Sequence, residues 1–163
     1  MKHTISILVE NHAGVLARVA GLFARRGFNI DSLAVGITED EKISRITIIA
    51  DGTAYTLEQI EKQLKKLIDV IKVRHLPAEE LLSRELVLIK VACLPSQRAE
   101  LISLAEIAKA KISDITVNTM TLELSDSVPR IKPFEELLRP YGIKETVRTG
   151  SIAMQKGGAS MKL

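Results

Sequence analysis

The sequence predicts an α+β protein built from two small domains with the same order of elements, βαββαβ, one after the other. Three observations carry that reading. Short runs rich in Ile, Leu and Val are interleaved with helix-period segments. Gly, Asn, Asp and Pro punctuate the boundaries where the chain must turn. The order found in residues 1–76 then returns after a polar break at Pro77-Ala78-Glu79-Glu80.

Residues 4–10 (TISILVE) read as a buried strand, followed by the turn Asn11-His12-Ala13-Gly14. Val15, Leu16, Val19, Leu22 and Phe23 recur at helical spacing, giving a helix over residues 13–26. Arg25 and Arg26 suit its negative end, and Gly27 suits the left-handed position beyond it. Residues 28–38 form a second strand, 39–42 a polar hairpin loop, and 43–50 (ISRITIIA) a third strand. Thr56 is expected to cap the next helix, with Gln59 completing a capping box. Leu57, Ile60, Leu64, Leu67 and Ile68 share one face of that helix, and residues 69–76 close the unit as a fourth strand. This order is the ferredoxin-like split unit, one antiparallel sheet with two helices on one face.

Residues 77–83 are expected to be a linker, and residues 84–163 a second ferredoxin-like domain. Its strands fall at 84–94, 111–119, 120–125 and 141–154, and its helices at 96–108 and 131–139, with Pro133 suited only to a first turn. Residues 155–163, with Gly157-Gly158, are expected to form a mobile tail.

Composition narrows the function classes. Apolar residues make up 46% and charged residues 26%, the mix of a soluble globular protein, with no apolar run long enough to span a membrane. The Met1-Lys2-His3-Thr4 start shows no signal peptide, and the single cysteine, Cys93, cannot form an internal disulfide. Both lead to the expectation of a cytoplasmic chain. Only Phe23, Phe28, Phe134, Tyr55 and Tyr141 are aromatic, so the core must be aliphatic. The net charge of +3 comes from 23 basic and 20 acidic residues spread along the chain, without the clustering of a nucleic-acid binder. RNA-recognition modules share this element order but stack bases on strand aromatics, which the first and third strands lack.

Catalysis has no foothold. His3, His12, His75 and Cys93 are far apart in sequence, so no metal site is expected. No nucleophile elbow, phosphate loop or dinucleotide fingerprint occurs. Glu79-Glu80 and Glu135-Glu136 read as solvated charge.

The informative segment joins the first strand to the first helix: Asn11, His12, Ala13, Gly14, Val15 and Leu16. A helix start presents free N–H groups and a positive dipole end, and a glycine there lets a carboxylate approach the backbone. Asn11 brings an amide that can accept from an ammonium and donate to a carboxylate. An amino acid carries both groups, and Val15 and Leu16 can receive an apolar side chain. A second segment, Gly27-Phe28-Asn29-Ile30-Asp31-Ser32, opens the second strand. With both segments expected at the same end of the sheet, an edge-to-edge dimer would set Asn29 and Ile30 of one chain over residues 11–16 of the other. The plain alternative is that Asn11 and Gly14 make a tight turn, and that the second segment is a helix end and strand entry. The residues alone leave both open.

The stretch ILVENHAGVLARVAGLFARRGFNIDSL strongly resembles the ACT domain of the small, regulatory subunits of acetolactate synthase (acetohydroxyacid synthase). ISRITI and EQIEKQLKKLIDVIKV look like the same family, and RELVLIKV, DITVNTMTLEL and RTGSIAM resemble its C-terminal domain more loosely. The resemblance implies a non-catalytic subunit that homodimerises through its ACT domains, binds a large catalytic subunit and raises its activity. That enzyme condenses two pyruvates, or pyruvate with 2-oxobutyrate, on the route to valine, leucine and isoleucine. It further implies feedback inhibition by a branched-chain amino acid, usually valine, with isoleucine and leucine not separated by the sequence. The implied effector site is Asn11, His12, Ala13, Gly14, Val15 and Leu16 with Asn29 and Ile30 of the second copy. The thiamine diphosphate, Mg²⁺ and FAD of the holoenzyme are expected on the catalytic subunit. A free-standing ACT sensor acting on a different enzyme is the alternative.

Overall fold

The computed structural model describes residues 1–163 as two compact units. One comprises Met1–Ser83 with Ser151–Leu163, the other Arg84–Gly150.

The first unit runs β1 (Lys2–Glu10), α1 (Val15–Arg25), β2 (Ile30–Ile37), β3 (Ile43–Asp51), α2 (Ala54–Leu64) and β4 (Val70–Leu76). The sheet order is β2-β3-β1-β4, antiparallel throughout, so β2 and β4 are its edges. Strand alternation sorts the faces. Ile5, Ile7 and Val9 of β1 and Ile46, Ile48 and Ala50 of β3 pack against Val15, Val19, Leu22 and Phe23 of α1 and Ile60 and Leu64 of α2. Phe23 and Phe28 meet edge to face at 6.3 Å, and the rest of this core is aliphatic.

Several boundaries differ from the sequence reading. The first helix starts at Val15, because residues 13 and 14 belong to the turn. Thr53, not Thr56, caps α2: its hydroxyl accepts from the Thr56 N–H at 3.2 Å. Ile68 lies past the end of that helix and is 93% exposed. The expected linker holds a 3₁₀ turn at Ala78–Glu80, and the next strand, β5, already begins at Leu81.

The C-terminal residues form ordered contacts in the first unit. Strand β9 (Ile152–Gln155) and the residues after it lie along the sheet face opposite the helices. Arg45 donates to Ser6 Oγ at 2.8 Å and to the Ala153 carbonyl at 3.0 Å. Arg74 Nη1 donates to the Gln155 Oε1 and Ser160 O atoms, both at 3.2 Å, and Lys72 Nζ to the Lys162 carbonyl at 2.6 Å. Leu8, on that same face, is only 3% exposed. Glycines and short polar residues hid this packing, because the anchoring donors sit on β3 and β4, far away in sequence.

The second unit holds the rest of β5 (Leu81–Ala92), then α3 (Arg98–Ala108), β6 (Lys111–Ile115), β7 (Thr119–Asp126), α4 (Val128–Leu138) and β8 (Ile143–Arg148). Its strands run in the order β6-β7-β5-β8. Val87, Ile89 and Val91 of β5 and Met120, Leu122 and Leu124 of β7 pack on Leu101, Ala105, Ile131, Phe134 and Leu138. Cys93 is fully buried in this core. Pro133 sits inside α4, which begins earlier than expected, with Pro129 in its first turn. The lost N–H leaves one intrahelical bond unmade, and burial of Ile131 and Phe134 on either side holds the helix. No helix is long and apolar enough to cross a membrane.

Candidate functional site

Strand β1 delivers the chain to Glu10, and residues 11–14 turn it into α1. Asn11 fastens that turn to the hairpin between β2 and β3. Its N–H donates to the Lys42 carbonyl at 2.8 Å and its Nδ2 to the Glu41 carbonyl at 2.7 Å. One of the two side-chain N–H groups is therefore engaged, and Oδ1 remains as an acceptor suited to an ammonium group.

Gly14 occupies the N-cap of α1 with φ +89°, in the left-handed region, and no side chain caps the helix. The first intrahelical bond is Arg18 N–H to the Gly14 carbonyl at 3.0 Å, so the N–H groups of Val15, Leu16 and Ala17 have no acceptor within the helix. Val15 is buried in the core and offers only its backbone; Leu16 is 42% exposed. A Cβ placed on Gly14 would come within 3.5 Å of Arg18 Nη1. The guanidinium thus lies against the bare side of the glycine.

Arg18 is held by Asp69, which lies in the turn between α2 and β4. Arg18 Nε donates to Asp69 Oδ2 at 2.6 Å, and the Asp69 side chain is only 7% exposed. His12 reaches the other oxygen: its Nε2 is 3.0 Å from Asp69 Oδ1 and 3.2 Å from Glu10 Oε2, while Nδ1 is 3.1 Å from the Ala13 carbonyl. Both ring nitrogens face only acceptors, an arrangement the doubly protonated imidazolium satisfies and the neutral ring does not. The Ala13 carbonyl holds the His12 pKa above its usual value; desolvation, the next largest influence, opposes it, and the Glu10 and Asp69 carboxylates add to the rise. Glu10, His12 and Asp69 bring three potential metal-ligand atoms within 4.8 Å of one another. With Arg18 on Asp69 and His12 between the carboxylates, the charges are already matched as an ion-pair cluster.

The second segment lies elsewhere. Asn29 donates from Nδ2 to Asp31 Oδ1 at 2.9 Å, and half-buried Ile30 opens β2 opposite Ala50. Ala50 pairs with His3, at the start of β1, whereas Glu10 pairs with Ile43. Residues 11–16 and Asn29-Ile30 therefore occupy opposite ends of the sheet, not the same end. The reason is topological: β1 and β2 both run antiparallel to β3, so β2 begins at the end of the sheet where β1 began.

Two residues of this region escaped the sequence reading, Arg18 and Asp69. The available signals were an arginine one helical turn after Gly14 and an acid interrupting the apolar run Leu67-Ile68-Asp69-Val70. The histidines thought far apart also partly converge, since the His3 and His75 rings meet edge to face at 5.4 Å. What the arrangement around Gly14 offers chemically is binding: free N–H groups, a guanidinium and an amide oxygen.

Comparison with known proteins agrees with both halves of the chain. Residues 5–72 match the family described as the AHAS small subunit-like ACT domain, and residues 84–157 match the small subunit of acetolactate synthase. A probable acetolactate synthase small subunit of Archaeoglobus fulgidus is 49% identical over 157 residues, covering 96% of this chain and 98% of that one. The acetolactate synthase small subunit of Mycobacterium leprae is 44% identical over 155 residues, covering 95% and 92%. The crystal structure of the Thermotoga maritima acetolactate synthase small subunit superposes with a TM-score of 0.90 at 38% identity, covering 98% of this chain and 99% of that one. With both units matched and nearly the whole length aligned, the chain belongs to the acetolactate synthase small-subunit family, the regulatory ACT-domain partner of that enzyme rather than its catalytic subunit.

Proposed function

We propose that this chain raises the activity of the acetolactate synthase catalytic subunit and subjects it to feedback inhibition by a branched-chain amino acid, valine. In this reading the effector lies where two ACT domains pair. It contacts Asn11, His12, Ala13, Gly14, Val15 and Leu16 of one copy and Asn29 and Ile30 of the other. Thiamine diphosphate, Mg²⁺ and FAD are assigned to the catalytic subunit.

The observation that carries the reading is the separation of the two polar segments along a sheet whose edge strand is open. Strand β2 is an edge, and Val35 and Ile37 on it are 47% and 65% exposed. Unpaired strand edges recruit further strands. A two-fold pairing of β2 with its copy is antiparallel, so the start of one β2 adjoins the end of the other. Ile37, at that end, pairs with Ser44, beside the Glu10–Ile43 pair. The second copy's Asn29 would then arrive at the end of the sheet that carries Asn11 and Gly14. Opposite placement within one chain is what a shared site requires.

The test is acetolactate formation by the catalytic subunit with and without this chain, titrated with valine, isoleucine and leucine. The expected result is a higher basal rate and strongest inhibition by valine. Unaltered rates and no inhibition by any of the three would overturn the reading.

A further inference from the structure

We propose that Asp69 is the positioning residue of the effector loop, holding His12 and Arg18 on either side of Gly14 and making effector affinity dependent on the protonation of His12. The functional half of this rests on the reading of residues 11–16 as the effector loop.

The geometry centres on one buried carboxylate. Asp69 Oδ1 is 3.0 Å from His12 Nε2, its Oδ2 accepts from Arg18 Nε at 2.6 Å, and its backbone carbonyl accepts from the Glu10 N–H at 2.9 Å. These three contacts tie the end of β1, the loop and the first turns of α1 to the turn that precedes β4. His12 lies two residues before Gly14 and Arg18 four after it, so a single acid fixes the loop from both sides. Arg18 keeps Nη1 and Nη2 free of protein hydrogen bonds while its guanidinium rests against Gly14. Oriented in this way, it faces the space from which a carboxylate approaches the helix start.

The charged groups facing His12 are Glu10 from β1 and Asp69 from the α2–β4 turn, with Arg18 of α1 reached through Asp69. Desolvation and the positive end of α1 oppose the carboxylates. Two carboxylates are balanced by one guanidinium and one imidazolium only while His12 carries its second proton. Neutral His12 has a single N–H. It must release either the Ala13 carbonyl, inside the loop, or the two carboxylates that anchor it.

The experiment measures valine affinity by calorimetry on the full chain from about pH 5.5 to about pH 8.5, where histidine titrates. Wild type, Asp69→Asn and His12→Gln are compared, and the His12 ring is followed by NMR in parallel. Wild-type affinity should fall as the pH rises through the His12 titration, and His12→Gln should flatten that profile. Asp69→Asn should weaken valine by about tenfold, the scale of one charge-assisted hydrogen bond, and return the His12 pKa toward the ordinary value. Valine should in turn raise the His12 pKa, because the linkage is reciprocal. A merely structural Asp69 would lower the melting temperature and leave the pH profile of binding unmoved.

If Asp69→Asn folds and keeps both the valine affinity and the His12 pKa of wild type, the inference is overturned. If that variant fails to fold, a wild-type His12 that titrates at or below about 6.5 overturns it equally. Absence of branched-chain amino-acid binding to wild type would instead sink the effector reading, while the His12 titration still tests the Asp69 contact.

Discussion

Asn11 and Asn29 stand at opposite ends of one antiparallel sheet, the first tied to the β2–β3 hairpin through Glu41 and the second to Asp31 at the start of β2. No rearrangement of side chains within one chain can bring them together, because the length of β1 separates them. A shared site therefore calls for a second copy, and three consequences can be measured.

The free chain should sediment at twice its own mass at micromolar concentration. Replacing Val35 and Ile37 with lysine puts charge on the exposed edge strand, a device that blocks strand pairing. The double variant should be monomeric, should stay folded because both side chains lie outside the core, and should lose the response to valine. A monomeric variant that still responds would sink the shared interface.

Valine should raise the melting temperature of the dimer, and D-valine should not. A ligand bound only by the folded state contributes about 2.7 kcal/mol at a hundredfold excess over its Kd. Equal shifts from the two enantiomers would show that the loop and Asn29 do not read the substituents at the α-carbon.

Asn11→Ala removes the bond to the Glu41 carbonyl and the amide oxygen together. The stability cost should be about 1 kcal/mol, one surface hydrogen bond. Asn11→Asp keeps an oxygen for an ammonium but sets it against the Glu41 carbonyl. Both variants should loosen the hairpin, read as faster amide exchange at residues 41–43, and Asn11→Ala should bind valine the more weakly of the two.

Strand and helix order was legible because buried Ile, Val and Leu at period two or at helical spacing leave the backbone little choice. Gly14 and Asn11 were legible as a polar, helix-opening turn for the same local reason. The end of the sheet at which Asn29 falls was implied by the element order but not carried through: β1 and β2 both run antiparallel to β3, so β2 starts at the end of the sheet away from residues 11–16. Asp69 was invisible as a partner of His12 and Arg18 because all three meet only after β4 docks beside β1. The C-terminal residues misled in a similar way. Gly157 and Gly158 suggested freedom, whereas the carbonyls of Ser160 and Lys162 are gripped by Arg74 and Lys72.

Two histidines should give stability opposite dependences on pH. Burial, then the neighbouring His3, hold the His75 pKa below its usual value. On acidification the unfolded chain takes up that proton first, so this contribution is lost as the pH falls below about 6.5. His12, with its raised pKa, contributes stability that is complete below about 6.5 and fades as the pH rises through the folded value. Melting curves across that range should show His75→Gln flattening the acid side and His12→Gln losing stability relative to wild type there. Parallel profiles for the two variants would contradict the assigned environments.

Gly14→Asp tests the loop most directly. At φ +89° any L side chain is strained, so the substitution should cost about 1–2 kcal/mol of stability, although aspartate tolerates this region better than most. Its Cβ would sit 3.5 Å from Arg18 Nη1, close enough for the new carboxylate to claim the guanidinium from Asp69. The same carboxylate stands where the effector's own would approach the free N–H groups of α1. Two unit charges about 4 Å apart repel by roughly 1 kcal/mol in water and about 4 kcal/mol at an effective dielectric of 20. Since 1.4 kcal/mol is tenfold in affinity, the lower figure alone weakens binding several-fold, and occupied space adds to it. Gly14→Ala shares the backbone strain without the charge and separates the two effects. The reconstituted enzyme should keep its activation with either variant. Half-inhibition by valine should shift modestly for alanine and by tenfold or more, about 1.4 kcal/mol, for aspartate. An unchanged half-inhibitory concentration for Gly14→Asp would move the effector away from this loop and leave Gly14 as the residue that makes the turn possible.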